Sequence, residues 1–198
     1  MVAIPKKDGK VKINVKYKKL KAISSLGQLP IPRVDEILDY LGKGRIFSLF
    51  DLVSLFHQIT SDKDTIPLTA FCTPTQLFEW LVMPQDSNAV AGWFVKVINE
   101  VIEDLDRAAA YLDDVIVYDP DPAAHVANIS SLFERLRKHN LKLSPDKAKL
   151  GATDADVLGH TISCSSVSPN ADKVAAFTKM PMPKNTKQTR SRLGGIGY

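Results

Sequence analysis

Asp113 and Asp114 stand side by side between two short apolar runs, Ala108-Ala109-Ala110-Tyr111 and Val115-Ile116-Val117-Tyr118. These runs are small, β-branched or aromatic, so the segment reads as a β-hairpin with its turn near Leu112 and Asp113 and both acids at its tip. Aspartate is also an ordinary turn residue. Two carboxylates at one apolar tip repel each other unless a cation stands between them, and hard divalent ions such as magnesium take oxygen ligands of this kind. A third acid suits the same chemistry. Asp51 ends Ile46-Phe47-Ser48-Leu49-Phe50, which reads as a buried strand, and is followed at once by Leu52 and Val53. A carboxylate in that setting is destabilising unless it is ligated or hydrogen-bonded. His160 reads instead as a polar tip or packing residue, because no second ligand lies at helical or hairpin spacing.

The elements that must position these acids follow from periodicity. Between the two acidic segments lies the strongest helical pattern, over residues 88–105, with Val90, Trp93, Phe94, Val97, Ile98, Val101, Ile102 and Leu105 at three- and four-residue steps. Beyond the hairpin, Asp121 is a good helix cap with Pro122 at the first helical position, and Val126, Ile129, Leu132, Phe133 and Leu136 supply an apolar stripe. Val34, Ile37, Leu38 and Leu41 share a further helical face, with Gly42 as its stop. Leu77 to Met83 reads as a core strand, and Leu141–Leu143 and Val157–Ile162 as candidate strands. Ser168-Pro169 can open a helix through Val174 and Phe177 that Pro181 and Pro183 close, after which Gly194–Tyr198 reads as an unfinished end.

Composition bounds the class. The 198 residues are 44% hydrophobic, ordinary for a globular chain with a sizeable core. Lysine and arginine outnumber acids by 26 to 22, a net charge of +4, which is compatible with a polyanionic partner without demonstrating one. The excess is concentrated near the start. Val2 to Lys21 reads as two strands joined by Lys7-Asp8-Gly9-Lys10, in which Val11, Ile13, Val15 and Tyr17 form an apolar face and Lys12, Asn14, Lys16 and Lys18 a cationic one. That cationic face is either simply solvated or a phosphate-contacting surface, and charge alone does not choose. Cys72 and Cys164 have no metal-ligand or disulfide spacing, which favours a reducing, intracellular setting, and no apolar run or leader suggests a membrane.

Taken in order, several stretches resemble the reverse transcriptase domain of gypsy-like long-terminal-repeat retrotransposon polyproteins. They are Pro5-Lys6-Lys7-Asp8-Gly9, Leu29-Pro30-Ile31-Pro32-Arg33, Phe47-Ser48-Leu49-Phe50-Asp51-Leu52, Phe56-His57-Gln58-Ile59, Thr69-Ala70-Phe71, Met83-Pro84-Gln85, Tyr111-Leu112-Asp113-Asp114 and Leu158-Gly159-His160. The resemblance implies an α+β fold: a palm whose antiparallel sheet is backed by helices. Partial fingers would occupy residues 1–45, the palm 46–168 with part of the fingers at about 60–83, and the truncated start of a thumb or connection 169–198. It implies RNA- and DNA-directed DNA polymerisation, with nucleotidyl transfer from deoxynucleoside triphosphates to a primer 3′-hydroxyl. Asp51, Asp113 and Asp114 would be catalytic and hold two magnesium ions, with manganese as a substitute. Phe56 would close the sugar pocket, Gln85 would border the incoming nucleotide, and Lys6 and Lys12 would lie near its phosphates. Leu158, Gly159 and His160 would grip the primer, and Lys147 would donate a proton to pyrophosphate. The implied partners are an RNA or DNA template with a DNA primer, and the protease, ribonuclease H and integrase of a polyprotein. The implied location is cytoplasmic and particle-associated, with access to the nucleus and no membrane.

The chain also departs from the family pattern. Leu55 stands where relatives carry a small residue near the triphosphate, Asp86 stands where they carry glycine, and Val90 or Ala91 where they carry proline. Lys12, Lys16 and Lys18 replace Arg, Asp and Arg, and lysine lacks the planar fork of arginine. The alternative reading is therefore a defective element remnant that keeps the fold and at most binds nucleic acid. On either reading, the chain as given is expected to polymerise poorly.

Overall fold

The structure is a computed structural model, and it describes residues 2–5, 9, 11–23, 32–84, 89–164 and 166–196. In chain order its elements are β1 (Val2–Pro5), β2 (Val11–Asn14), α1 (Lys18–Ile23), α2 (Val34–Leu41), β3 (Ile46–Asp51), β4 (Phe71–Cys72), β5 (Leu77–Phe78) and α3 (Ala89–Ile102). There follow β6 (Ala108–Tyr111), β7 (Asp114–Asp119), α4 (Pro122–Lys138), β8 (Lys149–Ala152), β9 (Asp154–Val157), β10 (His160–Ser163), β11 (Ser166–Pro169), α5 (Ala171–Thr178) and α6 (Thr186–Ile196).

The central sheet is antiparallel and has the order β6-β7-β3-β8. Both of its faces are covered, which is why β7 is buried from Val115 through Asp119 and reads as one continuous apolar run. Alternation sends Val115 and Val117 to one face, where Phe50 of β3 meets Phe94, Ile98 and Val101 of α3 and Leu132 and Leu136 of α4. Ile116 and Tyr118 go to the other face, with Phe47 of β3, Ile37 and Leu41 of α2, and Ala155, Val157 and Ile162 of the β9–β10 hairpin. By the same alternation Asp51 and Asp114 belong to this second side.

Local signals explain the element ends. Asp121 caps α4 by accepting from the amides of Ala123 and Ala124, both at 3.0 Å, and Pro122 takes the first helical position. Leu158 and Gly159 both have positive φ, 52° and 80°, so the β9–β10 turn has the left-handed form that matches strand twist.

Several expectations are corrected. Leu77–Met83 is not a core strand: β5 is only Leu77–Phe78, both exposed, and Val82 makes a single bridge to Thr60. Aromatic side chains there stack among themselves, Phe71 on Phe78 at 5.7 Å and His57 on Trp80 at 5.2 Å, instead of entering the main core. The first hairpin forms, with Ala3 opposite Ile13, but its second strand stops at Asn14 and Lys18–Ile23 is helical. Its apolar face is divided, since Val11 and Ile13 are exposed while Val15 and Tyr17 are buried. On α4, Val126 faces solvent and Phe133 is partly exposed with its ring edge-on to Phe50 at 5.3 Å, while the buried set is His125, Leu132 and Leu136. Leu141–Leu143 forms no strand, only a bridge from Leu143 to Leu52. No described helix is long and apolar enough to cross a membrane.

Candidate active site

The acids meet at one end of the central sheet. Asp51 closes β3 and lies directly opposite Asp114, the first residue of β7, so their side chains share a face. Asp113 precedes β7 in the two-residue turn, and its carbonyl accepts from the amide of Leu52 at 3.0 Å, which ties the turn to the end of β3. Leu112 makes the turn with φ of 50°, a left-handed conformation that a non-glycine residue adopts at a cost, here held by strand pairing on both sides.

Lys147 joins these carboxylates. Its Nζ donates to both oxygens of Asp51, at 2.9 and 3.1 Å. The lysine side chain is 64% exposed and that of Asp51 only 23%. Asp114 has its pKa raised by desolvation first, then by the negative charges of Asp113 and Asp51, against which Lys147 acts in the opposite sense. Lys147 has its own pKa raised, first by the hydrogen bond and charge of Asp51 and to a lesser degree by Asp113 and Asp114. All three acids and the lysine therefore form one electrostatic unit.

The donor chemistry suits a hard divalent cation, because the three carboxylates offer only oxygen ligands and Asp51 already takes an ammonium across both of its oxygens. The acids do not close on a single point, however. Among the described residues no group of three or more His, Cys, Asp or Glu is arranged to hold an ion.

The other expected site residues are spread more widely. Phe56 lies in the 3-10 turn Leu55–Gln58 that follows Asp51, half-buried against the core that α3 and α4 build. Leu55, expected to stand near the triphosphate, has a buried side chain. It is 3% exposed, with its side chain in that same core, because left-handed Ser54, with φ of 45°, redirects the backbone just before it. Leu158, Gly159 and His160 form the β9–β10 turn on the same side of the sheet as Asp51 and Asp114, and His160 Nδ1 lies 3.2 Å from the Leu158 carbonyl. Lys12 pairs with Ile4 through the backbone. Lys6, Gln85 and Asp86 lie outside the described residues.

Sequence reading missed two supports of the site. Gln58 acts as a backbone surrogate: its amide donates to the carbonyls of Val53 and Lys142, at 2.5 and 3.1 Å, and its carbonyl accepts from the Lys142 amide at 2.6 Å. That locks the segment after Asp51 to the one leading to Lys147. The second support is buried. Ser48 Oγ lies 2.8 Å from His125 Nε2, His125 Nδ1 lies 2.8 Å from Asp119 Oδ2, and Asn128 donates to Asp119 Oδ1 at 2.6 Å. Ser48 also accepts the Gly151 amide at 3.0 Å, where β8 slips by one residue against β3 and Gly151 takes φ of 61°. This relay joins β3, β7, β8 and α4, the elements that carry or flank the acids.

Comparison with known proteins agrees with this geometry. The foamy viral protease-reverse transcriptase solved with double-stranded DNA superposes with a TM-score of 0.92 at 20% identity, over 98% of this chain and 34% of that one. The fold is thus the α+β palm type of reverse transcriptases. The family model described as reverse transcriptase (RNA-dependent DNA polymerase) matches residues 4–162, and the chain belongs to that family. It is 35% identical to the retrovirus-related Pol polyprotein from transposon 297 of Drosophila melanogaster, over 98% of this chain and 19% of that polyprotein. It is 29% identical to polyprotein P3 of Commelina yellow mottle virus, over 97% of this chain and 10% of that protein. The chain thus spans a fifth or less of these two polyproteins.

Proposed function

We propose that this chain is the DNA polymerase domain of a retroelement and that it extends a DNA primer on an RNA or DNA template. The observation that carries this is the pairing of Asp51 with Asp114 beside Asp113, where Asp114 is the exposed end of a strand otherwise buried. Bound at this tip, magnesium or manganese ions would activate the primer 3′-hydroxyl and neutralise the triphosphate. Asp51, Asp113 and Asp114 would hold them, the rigid pairing of β3 and β7 fixing two of the three before any ligand arrives.

The other residues take roles around that tip. Phe56, just beyond Asp51, presents a bulky ring to the sugar and favours deoxynucleotides. The Leu158-Gly159-His160 turn grips the primer on the acidic side of the sheet, while Lys6, Lys12 and Gln85 meet the nucleotide. In domain terms, residues 1–45 are partial fingers, 46–168 the palm with fingers at about 60–83, and 169–198 the start of a thumb or connection. A cytoplasmic particle formed by the remaining polyprotein domains is the setting in which template, primer and deoxynucleotides meet. The burial of Leu55 removes one reason to expect a defective enzyme. Primer extension on poly(rA)/oligo(dT) tests the proposal: magnesium-dependent extension that Asp113→Asn abolishes supports it, and extension that survives Asp113→Asn refutes it.

A further inference from the structure

Lys147 and Asp51 form an ion pair whose lysine end is exposed and whose carboxylate end is mostly shielded. The lysine ammonium spans both carboxylate oxygens. The 3-10 turn Pro145–Lys147 that bears it is fixed to β3 at both ends: the Ser144 amide donates to the Asp51 carbonyl at 2.8 Å, and Lys149 pairs with Leu49 two residues later. The turn therefore presents its lysine to the strand end that carries the carboxylate. Three acids share this corner, and among the described residues Lys147 is the cation that contacts Asp51 and opposes the charge of its neighbours Asp113 and Asp114.

We propose that Lys147 is a built-in counter-cation, which a divalent metal ion must displace from Asp51 before the acidic tip is loaded. The proposal rests on the reading of Asp51 as a metal ligand. Without metal the ammonium screens the carboxylates and holds the tip together. A divalent ion brings twice the charge to the same oxygens and wins the exchange as its concentration rises, which releases the lysine. Lys147 thus sets the metal concentration at which the tip loads, and it couples loading to the freeing of a cationic side chain beside the site.

The test is Mn2+ binding to the full chain, read as free Mn2+ by electron paramagnetic resonance at 0.15 M salt. The proteins are the wild type, Lys147→Met, Lys149→Met and Asp51→Asn. Lys147 is largely exposed, so its replacement leaves the core packed. The expected result is Mn2+ binding about two- to fivefold tighter in Lys147→Met, the scale of one partly exposed ion pair. Lys149→Met removes the same charge without touching Asp51. A charge out of contact acts through screened solvent and counts for less than a contact pair, so its affinity should move less than that of Lys147→Met. Equal affinity in Lys147→Met and wild type, or equal tightening in Lys149→Met, overturns the proposal. Asp51→Asn separates the two layers of the argument. If it leaves Mn2+ binding unchanged, Asp51 is not a ligand and both readings fall; if it weakens binding while Lys147→Met changes nothing, only the counter-cation falls.

Discussion

Replacing His125 with alanine should be among the most destabilising single changes in the chain, although no catalytic role falls to it. Ser48, Asp119 and His125 are 0%, 1% and 3% exposed, so none can recover a lost partner from water. With the imidazole proton on Nδ1, every group is satisfied: Asp119 accepts from His125 and Asn128, and Ser48 donates to Nε2 while accepting from Gly151. His125→Ala leaves one oxygen of Asp119 and the Ser48 hydroxyl unpaired around a new cavity. A buried donor or acceptor left unsatisfied costs about 1–3 kcal/mol, and more for a charged group, so the two together cost about 3–5 kcal/mol. For a chain of this size that is a fall in Tm of roughly 6–20 °C. Urea unfolding of His125→Ala, Asp119→Ala and the double variant measures it. The second substitution should then add little, leaving an interaction of about 1–3 kcal/mol in the cycle. A cost below about 1 kcal/mol for His125→Ala, or strictly additive losses, would refute the reasoning.

Other outcomes follow from the same geometry. Asp114→Asn should stabilise the metal-free fold: the folded-state pKa of Asp114 lies above its ordinary 3.8, so the native carboxyl holds its proton longer and stability falls as pH rises through that window. The gain in Tm should therefore appear above pH 3.8 and vanish below it, as scanning calorimetry across pH would show. Asp121→Ala removes a cap that satisfies two amides and should cost about 1 kcal/mol in urea unfolding, with Asp121→Asn largely restoring it. Phe56→Ala should raise ribonucleotide incorporation relative to deoxynucleotide in single-turnover assays; an unchanged ratio removes Phe56 from the sugar gate.

What was legible in the sequence depended on whether the cause was local. The β6–β7 hairpin, the Asp121 cap and the α3 stripe declare themselves within a few residues, because strand alternation, a capping carboxylate and helical periodicity act at that range. Leu77–Met83 misled because an apolar run has the same appearance in a core strand and in an exposed hairpin whose aromatic rings stack on one another. The acids of the site were legible for a similar reason: a charge placed within an apolar run stands out. Their supports were not. Ser48 finds His125 at a separation of 77 residues and Lys147 finds Asp51 at 96, distances over which no periodicity speaks. A serine between Phe47 and Leu49 in a strand otherwise apolar up to Asp51 was the one available hint, since a buried hydroxyl needs a partner. Leu55 shows the converse: its identity was plain, but a left-handed Ser54 decided where its side chain went.

The central claim is that Asp51 and Asp113 act as one metal-dependent unit in nucleotidyl transfer, and single-nucleotide addition to a primed template under single-turnover conditions tests it most directly. The rate should be measured for the wild type, Asp51→Asn, Asp113→Asn and the double variant, with magnesium at saturation. Groups that act as a unit lose their effect together, so each single variant should fall by about a thousandfold or more and the double variant no further. Residual activity near the wild type in either single variant, or losses that multiply in the double, would contradict the account.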